Sequence, residues 1–488
     1  MEVPSNWDEA SHRLWVKDAK KEAIKSVMVL IERGPLPLPK GLARQLAYYL
    51  FFMKDYPEAA KVLYEISVAY PEEYEDLLNL ACCLQRMGKH EQGIETLEKV
   101  LRRKPGEYSA WDGLASTYPR NGRFDKAKEA GERSLVLKDE AAKSPLPGWS
   151  PPGGSPSEYA GAGKKRDVIS FSLWGDRPRY LRGALHNALV APEVYPGWVC
   201  RFYVDDSVPS EFRSALGEVG AELVEERDPA RLDNRHRLAR RFWVANDPGV
   251  GYFLVRDCDA VINRREAEAV KAWVESGRWF HVMRDWWTHT DLVLAGMWGG
   301  VAGVLPDLEG LFEGYRCGKV ETPNWDQWFL RDRVWGLIRG HCLVHDRFFR
   351  TPGSVPFPEA EPEGNTHVGE NEYGARREAQ EKTLAKWIER LDCLRQLPEG
   401  ETSITAKQTK QESTGKPAPQ EKWNRVATCR YGTMIYNRND IYIGRSLEKY
   451  GEFSEGEANL FRQVVKPGQV VVEVGANIGA HTVLFAML

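Results

Sequence analysis

The chain has little cysteine, almost no excess charge and no long apolar run. Its 488 residues include 8 cysteines, and the absence of a CxxC pair excludes a disulfide scaffold and argues against structural zinc. The 67 basic and 70 acidic side chains give a net charge of −3, which lacks the basic excess of a nucleic-acid binder. No run of about 18 apolar residues predicts a transmembrane helix, and residues 1–21 lack a signal-peptide core. We expect a soluble, cytoplasmic protein without a nucleic-acid partner.

Small residues recur with a fixed period in the first third of the chain. Ala47, Ala81 and Ala115 are each 34 positions apart, and such a period is typical of helical solenoids. The pattern resembles the tetratricopeptide repeat, with roughly three units over 40–140, and the segment 7–32 is predicted to be an additional capping helix. Such a stack offers a concave surface to a partner peptide or a second subunit. Alternatively, it only spaces or dimerises the rest of the protein.

Strand and helix patterns alternate after a segment rich in proline, glycine and serine. Apolar runs that end in acidic residues predict strands, which we place at 167–176, 198–206, 221–228 and 251–260. The alternation predicts a largely parallel, doubly wound α/β sheet, in which ligands bind beyond the carboxyl ends of the strands. Asp205 ends the second strand, and Asp257 and Asp259 end the fourth.

The pair Asp257 and Asp259 is the strongest chemical signal in this part of the chain. Two carboxylates two residues apart can reach one divalent ion, and Mg²⁺ or Mn²⁺ usually shares carboxylate ligands with substrate phosphates. A pyrophosphate leaving group needs the positive charge of such an ion to neutralise its own negative charge. The alternative is a solvated loop, because this short motif also occurs by chance. Its position directly after an apolar strand favours the functional interpretation.

Five stretches of residues 165–370 carry a further signal, and they are VISFSLWGDRPRY, RRFWVANDPGVGYFLVRDCDA, HVMRDWWTHTDLVLAGMWGG, NWDQWFL and LVHDRFF. Together they resemble a bacterial glycosyltransferase of the GT-A type. The resemblance implies a nucleotide-sugar donor and an Mn²⁺ or Mg²⁺ ion. As metal ligands we predict Asp257, Asp259 and His345, with His341 as the competing histidine. The alternatives are a ribose contact for Asp257 and an ordinary buried position for His345.

Further residues take catalytic and donor-binding roles in this interpretation. Candidate catalytic residues are Asp326, Arg241 and Asp285. Asp326 would be the general base if the enzyme inverts configuration, and would position the sugar if it retains it. Candidate donor-binding residues are Gly175, Asp176, Tyr180, Asp205, Arg284, His289, Gly299 and Gly300. For the segment 281–300, which contains the last four of these residues, the alternative is a strand and loop in the core.

Near the end of the chain, the stretch VVVEVGANIGAHTVLFA predicts a strand, a glycine turn and a helix. It resembles the beginning of an FkbM-type methyltransferase, and the residues that match the first S-adenosylmethionine motif are Glu473, Gly475, Asn477 and Gly479. A dinucleotide-binding turn fits worse because the glycine spacing differs. One strand and one helix cannot bury both faces of a sheet. We therefore expect S-adenosylmethionine to bind only in a longer, bifunctional protein.

The sequence thus predicts three folded parts and two connectors. They are a repeat domain at 1–142, a linker at 143–164, a GT-A-like domain at 165–397, a flexible linker at 398–424 and a partial methyltransferase-like domain at 425–488. The predicted function is metal-dependent sugar transfer to a protein or glycan acceptor, with repeats that recruit the acceptor or form a homodimer. The alternatives are a repeat scaffold with a non-catalytic transferase-like domain, and methyl transfer as the main activity of a longer protein.

Overall fold

The computed structural model describes residues 4, 6–34, 39–163, 165–317, 324–360, 362, 366–371, 376–395, 424–430, 432–437, 461–463 and 465. The chain divides into two compact units, Met1–Lys407 and Gln408–Leu488. The helical repeats and the α/β layers belong to the same unit. The predicted S-adenosylmethionine motif, at Glu473, Gly475, Asn477 and Gly479, lies outside the described residues. None of the described helices is long and apolar enough to cross a membrane.

Paired helices form the N-terminal part of the first unit, and consecutive helices pack against each other. They are α1 (Glu9–Val16), α2 (Lys20–Glu32), α3 (Lys40–Phe52), α4 (Tyr56–Ala69), α5 (Glu75–Arg86), α6 (His90–Arg103), α7 (Tyr108–Thr117) and α8 (Phe124–Ala141). Ala47, Ala81 and Ala115 are buried in the core of this stack. The period therefore comes from positions at which neighbouring helices approach closely.

A residue with a positive φ angle joins the two helices of each pair. The residues are Asp18 (66°), Lys54 (63°), Gly88 (74°) and Gly122 (69°). Glycine adopts this conformation without steric cost, whereas other residues lose about 1–2 kcal/mol. The segment 7–32 is therefore a fourth helix pair, and the prediction of a single capping helix was wrong. Glycine is absent from the first two turns, which concealed the repeat in the sequence.

One mixed sheet of eight strands follows the repeats. The strands are β1 (Arg166–Ser172), β2 (Trp198–Val204), β3 (Glu222–Glu225), β4 (Val250–Val255), β5 (Phe280–Arg284), β6 (Trp298–Val301), β7 (Cys342–Asp346) and β8 (Ser354–Val355). Their order is β3-β2-β1-β4-β6-β5-β7-β8. All residues of β4 are buried, as expected for a central strand with both faces covered.

Strand β6 runs antiparallel to both of its neighbours, β4 and β5. The sheet is therefore mixed rather than largely parallel. A parallel return would need a crossover connection, usually a helix. Residues 285–297 between β5 and β6 contain no helix, so the chain turns back beside β5 in the opposite direction.

Short helices surround the sheet. They are α9 (Pro156–Gly161), α10 (Pro178–Val194), α11 (Ser210–Glu218), α12 (Asn234–Ala239), α13 (Arg264–Glu275), α14 (Leu308–Glu313), α15 (Trp325–Phe329), α16 (Trp335–Ile338) and α17 (Arg377–Arg390). In the second unit, β9 (Asn424–Cys429) and β10 (Gly432–Asn437) form an antiparallel hairpin.

Helix α8 fixes the repeats against the sheet domain. The Lys138 ammonium group is buried, donates to the Thr290 carbonyl oxygen at 2.8 Å and lies 3.1 Å from Asp291 Oδ1. A β-carbon on Gly131 would lie 2.1 Å from the ring of Phe349, so only glycine allows this close approach. The buried ion pair and the close contact hold the repeat stack in a defined position.

Candidate functional site

A cavity of about 980 Å³ opens at the carboxyl ends of β1 and β4. The chain passes from β1 outwards through β2 and β3, and then returns to β4 on the other side of β1. In open α/β sheets, ligands bind where the strand order reverses in this way. The cavity therefore occupies the place that the topology favours for a ligand.

Three of the predicted donor-binding residues line this cavity. They are Gly175, Asp176 and Tyr180. Gly175 has a φ of 72°, and its amide donates to Ser207 Oγ at 2.8 Å, which fixes the loop that follows β1. Burial raises the pKa of Tyr180, so its hydroxyl remains protonated at neutral pH.

Both carboxylates of the predicted metal pair also line the cavity, and each pairs with an arginine. Asp257 pairs with Arg241 through Nη1, and its side chain is 48% exposed. Asp259 accepts a hydrogen bond of 2.8 Å from Arg179 Nε. Burial and the Asp257 charge raise the pKa of Asp259, while Arg179 opposes this effect. The two carboxylates therefore repel each other, and Arg241 and Arg179 offset this repulsion in the structure.

Arg241 links this pair to a third carboxylate. It is buried in a 3-10 turn before β4, lines the cavity, and donates from Nη2 to Asp326 Oδ2 at 3.0 Å. Within the part of the chain that the structure describes, its Nε has no hydrogen-bond partner. A buried donor of this kind suits an anionic ligand.

Asp326 does not line the cavity and is only 4% exposed. Burial raises its pKa to about 6, although Arg241 lowers it. Because Arg241 separates its carboxylate from the cavity, the structure does not support Asp326 as a general base that contacts the acceptor. Its position suits orientation of the Arg241 guanidinium instead.

Asp205 was predicted to contact the donor base, but it is buried in an ion cluster. Arg237 Nε and Arg240 Nη2 donate to its Oδ2 at 2.9 and 2.7 Å. Although burial opposes it, hydrogen bonds from Ser207 and these arginines lower the pKa of Asp205 to about 2. Asp205 does not line the cavity; it holds α12 and the following turn against β2.

Arg284, Asp285 and His289 also form internal contacts rather than a donor site. Arg284 Nε donates to Asp346 Oδ2 at 2.7 Å, and Asp285 pairs with Arg265 at 3.0 Å. The amide of Asp285 donates to His289 Nδ1 at 3.0 Å, and burial lowers the pKa of His289 to about 3. The hydrogen bonds and ion pairs of these side chains are therefore made to other groups inside the fold.

The glycines of β6 allow strand packing, not approach of a sugar. A β-carbon on Gly299 would lie 2.5 Å from the Phe253 carbonyl oxygen, and one on Gly300 would lie 2.6 Å from the Phe280 ring. Neither glycine lines the cavity. The structure therefore does not bring Gly299 and Gly300 together with the other predicted donor-binding residues.

The structure does not bring His345 together with the aspartate pair. His345 is buried in β7, with its Nδ1 2.7 Å from His281 Nε2, and burial lowers its pKa to about 4. The competing His341 ring lies 6.5 Å from the Trp149 ring. Among the described residues, no three His, Cys, Asp or Glu side chains are grouped to hold a metal.

The remaining pair, Asp257 and Asp259, still suits a hard divalent cation. Mg²⁺ is commonly bound through one or two carboxylates, with substrate phosphates and water completing its coordination. The donor set therefore fits an ion that arrives with a diphosphate, and it does not fit an ion held by protein groups alone.

Comparison with known proteins identifies the repeats. Residues 77–107 match the tetratricopeptide repeat family. This match covers most of α5, all of α6 and the turn between them. The chain contains a tetratricopeptide repeat. No curated protein matches the chain.

Solved structures of repeat proteins resemble part of the chain. The crystal structure of MamA is 18% identical over 27% of this chain and 77% of that chain, with a TM-score of 0.26. YrrB, described as a TPR protein with an unusual peptide-binding site, is 19% identical over 27% and 66%, with a TM-score of 0.25. PcrH in complex with the chaperone binding region of PopD is 16% identical over 20% and 74%, with a TM-score of 0.20.

The sequence interpretation missed several residues of the cavity wall. Arg177 and Arg235 bring positive charge to it, and the Arg235 guanidinium lies 4.3 Å from the Trp325 ring. Arg177 follows Gly175 and Asp176 directly, so the loop motif offered a signal for it. Trp15 and Phe52 come from the repeat helices, and no local pattern could indicate that they face the sheet domain.

Proposed function

We propose that the chain is a glycosyltransferase that moves a sugar from a nucleoside-diphosphate donor to a protein or glycan acceptor. The observation that supports this most strongly is the meeting of Asp257, Asp259, Arg241 and Tyr180 in one cavity at the switch point of the sheet. The cavity volume of about 980 Å³ lies within the range of small-molecule sites.

In this proposal, Asp257 and Asp259 would hold Mn²⁺ or Mg²⁺, and the ion would supply positive charge for a diphosphate leaving group. Arg177 would supply positive charge from the protein, and Arg241, whose Nη atoms pair with Asp257 and Asp326, would offer its remaining donor, Nε. Guanidinium groups suit phosphate oxygens because they donate two parallel hydrogen bonds. Charge placed in advance stabilises the developing negative charge without reorganisation.

Tyr180 and the Gly175 loop form the nucleoside side of the proposed site. The fixed backbone at Gly175 and the half-buried ring of Tyr180 offer a flat apolar face beside polar groups. Bases and ribose need this combination. Asp326 orients Arg241 in this account and does not remove a proton from the acceptor.

The test is donor hydrolysis across UDP-, GDP-, CMP- and dTDP-sugars with Mn²⁺, Mg²⁺ or chelator. We expect release from one donor that needs the metal and falls at least about 100-fold in Asp259→Asn. The matched control is Asp206→Asn, since the Asp206 side chain is 86% exposed and follows β2 rather than β4. Equal activity in both variants would contradict the proposed metal site.

A repeat scaffold is the second candidate function. A groove of about 450 Å³ in the repeats combines apolar residues such as Leu101 and Trp111 with the charged residues Glu98, Arg102, Lys126 and Glu129. This composition suits an amphipathic peptide segment. This candidate predicts partner binding that is weakened by Trp111→Ala, without turnover of any donor. Methyl transfer by a longer protein stays a prediction, because its motif lies outside the described residues.

A further inference from the structure

The repeat domain supplies one wall of the cavity that holds the two carboxylates. Trp15 and Asp18 come from the end of α1 and the turn after it, and Tyr48 and Phe52 come from α3. These residues face the same space as Asp257. The helical repeats are therefore part of the site and not only an appendage beside it.

We propose that this wall, formed by Trp15, Asp18, Lys20, Tyr48 and Phe52, binds the acceptor, and that the acceptor is a saccharide. The inference rests on the proposed function, because it assigns the second substrate of the same cavity. The sheet side of the cavity carries the charged groups suited to a diphosphate. The repeat side is the part that remains for the acceptor.

The chemistry of the wall matches a sugar ring. A pyranose has apolar C–H faces and a rim of hydroxyls, so it pairs with a flat aromatic surface edged by polar groups. Tyr48 and Phe52 have ring centroids 4.6 Å apart and planes tilted by 53°, so each ring offers its own flat face, and Phe52 is 40% exposed. Asp18 and Lys20, whose charged groups are 3.2 Å apart, provide hydroxyl partners at the edge.

The aromatic surface is held in place from behind. Trp15 stacks on Tyr49 with ring centroids 4.3 Å apart and planes within 9°. Tyr49 is buried, and its hydroxyl accepts a hydrogen bond from Gln45 Nε2 at 2.8 Å. A rigid platform binds a ligand with little loss of side-chain entropy.

A peptide acceptor fits this wall less well. Peptides commonly bind by adding a strand to a sheet edge, by laying a helix in a groove or as a polyproline helix on aromatic residues. Here side chains of the repeat helices face a cavity that a donor would share, and the strands that end at this cavity, β1 and β4, lie in the interior of the sheet. The groove around Trp111 is a separate place for a peptide on this chain.

The experiment is saturation-transfer NMR on the full chain with methyl glycosides of common hexoses, N-acetylhexosamines and deoxyhexoses. Two variants change the wall, Phe52→Ala and Asp18→Gly. Each has a matched control. Tyr64→Ala removes an aromatic ring that is 61% exposed on the neighbouring helix, and Lys54→Gly changes the turn of the next repeat that corresponds to Asp18.

We expect at least one glycoside to bind the unmodified chain, Tyr64→Ala and Lys54→Gly alike. Its Kd should rise about 10-fold in Phe52→Ala and in Asp18→Gly, the loss expected when one stacking or hydrogen-bonding contact is removed. Since both glycine variants relax the same kind of turn, an effect through folding alone would appear in both.

Absence of binding to every glycoside, or equal binding to all four variants, would overturn the proposal. So would a peptide whose binding is lost in Phe52→Ala. Donor hydrolysis by the unmodified chain separates the two claims. Glycoside binding without donor turnover would support saccharide binding by the repeat wall and refute the transferase. Donor turnover without glycoside binding would support the transferase and refute saccharide binding by the wall.

Discussion

Arg241 Nη2 lies 3.0 Å from Asp326 Oδ2, and Nη1 of the same guanidinium pairs with Asp257. One side chain therefore connects α15 to the carboxylate pair at the end of β4. This contact gives Asp326 an indirect role in the cavity, and it makes the planar, two-sided shape of arginine necessary at position 241.

Replacement of Arg241 by lysine should lower donor turnover about 100-fold, because an ammonium group cannot bridge two carboxylates in fixed directions. The variants to measure are Arg241→Lys, Asp326→Asn and the double substitution. Since Asp326 acts through Arg241, the double variant should be no slower than Arg241→Lys. Additive losses would show that Asp326 contacts substrate independently.

The stability of the fold should depend on the protonation of Asp326. Burial raises its pKa from 3.8 to about 6, so the folded state binds this proton more tightly than the unfolded chain. The resulting stabilisation is complete below pH 3.8 and is lost as the pH rises through 6.

The variant Asp326→Asn keeps a neutral group at this position at every pH. The stability difference between variant and unmodified chain should therefore change by about 2.4 kcal/mol from roughly pH 4 to 7, with the unmodified chain losing stability relative to the variant as the pH rises, as measured by urea unfolding. A stability difference that does not change with pH would refute the raised pKa of Asp326.

Lys138→Met should strongly destabilise the first unit. The ammonium group is buried between Asp112, at 2.7 Å, and Asp291, at 3.1 Å, so its removal leaves two carboxylates without their cation. Breaking a buried pair costs about 3–5 kcal/mol. Arg339→Met is the control, because its pair with Asp139 is half exposed and is worth less than about 1 kcal/mol. Urea midpoints give the comparison, and equal shifts would mean that the buried cluster does not stabilise the docking of the repeats.

His345→Leu should leave the metal requirement of donor turnover unchanged while it lowers stability by about 1–3 kcal/mol. The loss arises because the ring nitrogen of His281 that faces His345 would keep no partner at that position. The measurements are a Mn²⁺ titration of turnover and a urea unfolding curve. A large rise in the Mn²⁺ concentration needed for turnover would restore His345 as a metal ligand.

The sequence predicted the repeats well where their signal is local. Ala81 and Ala115 mark close helix contacts, and Gly88 and Gly122 mark turns with positive φ. The first helix pair escaped prediction because the position 34 residues before Ala47 is Arg13, so the period of small residues does not extend into it. The strands before Asp205 and Asp257 were also predicted, since an apolar run that ends in acidic residues is a local pattern.

The functional assignments were less reliable because buried ion pairs and active sites use the same residue types. Asp205 and Arg284 stand at strand ends like catalytic groups, but their partners, Arg240 and Asp346, are distant in sequence. Only tertiary structure distinguishes a carboxylate held by arginines from one that faces a cavity. The contribution of Phe52 to the cavity is likewise a consequence of domain docking.

The most direct test of the central claim is calorimetric titration of the full chain with UDP, GDP and dTDP in the presence of Mn²⁺. The account predicts that one nucleoside diphosphate binds, that Asp259→Asn raises its Kd about 100-fold through loss of the shared cation, and that Asp206→Asn leaves it unchanged. Failure of every nucleotide to bind, or equal binding by the two variants, would contradict the assignment of the cavity at the ends of β1 and β4 as a nucleotide-sugar site.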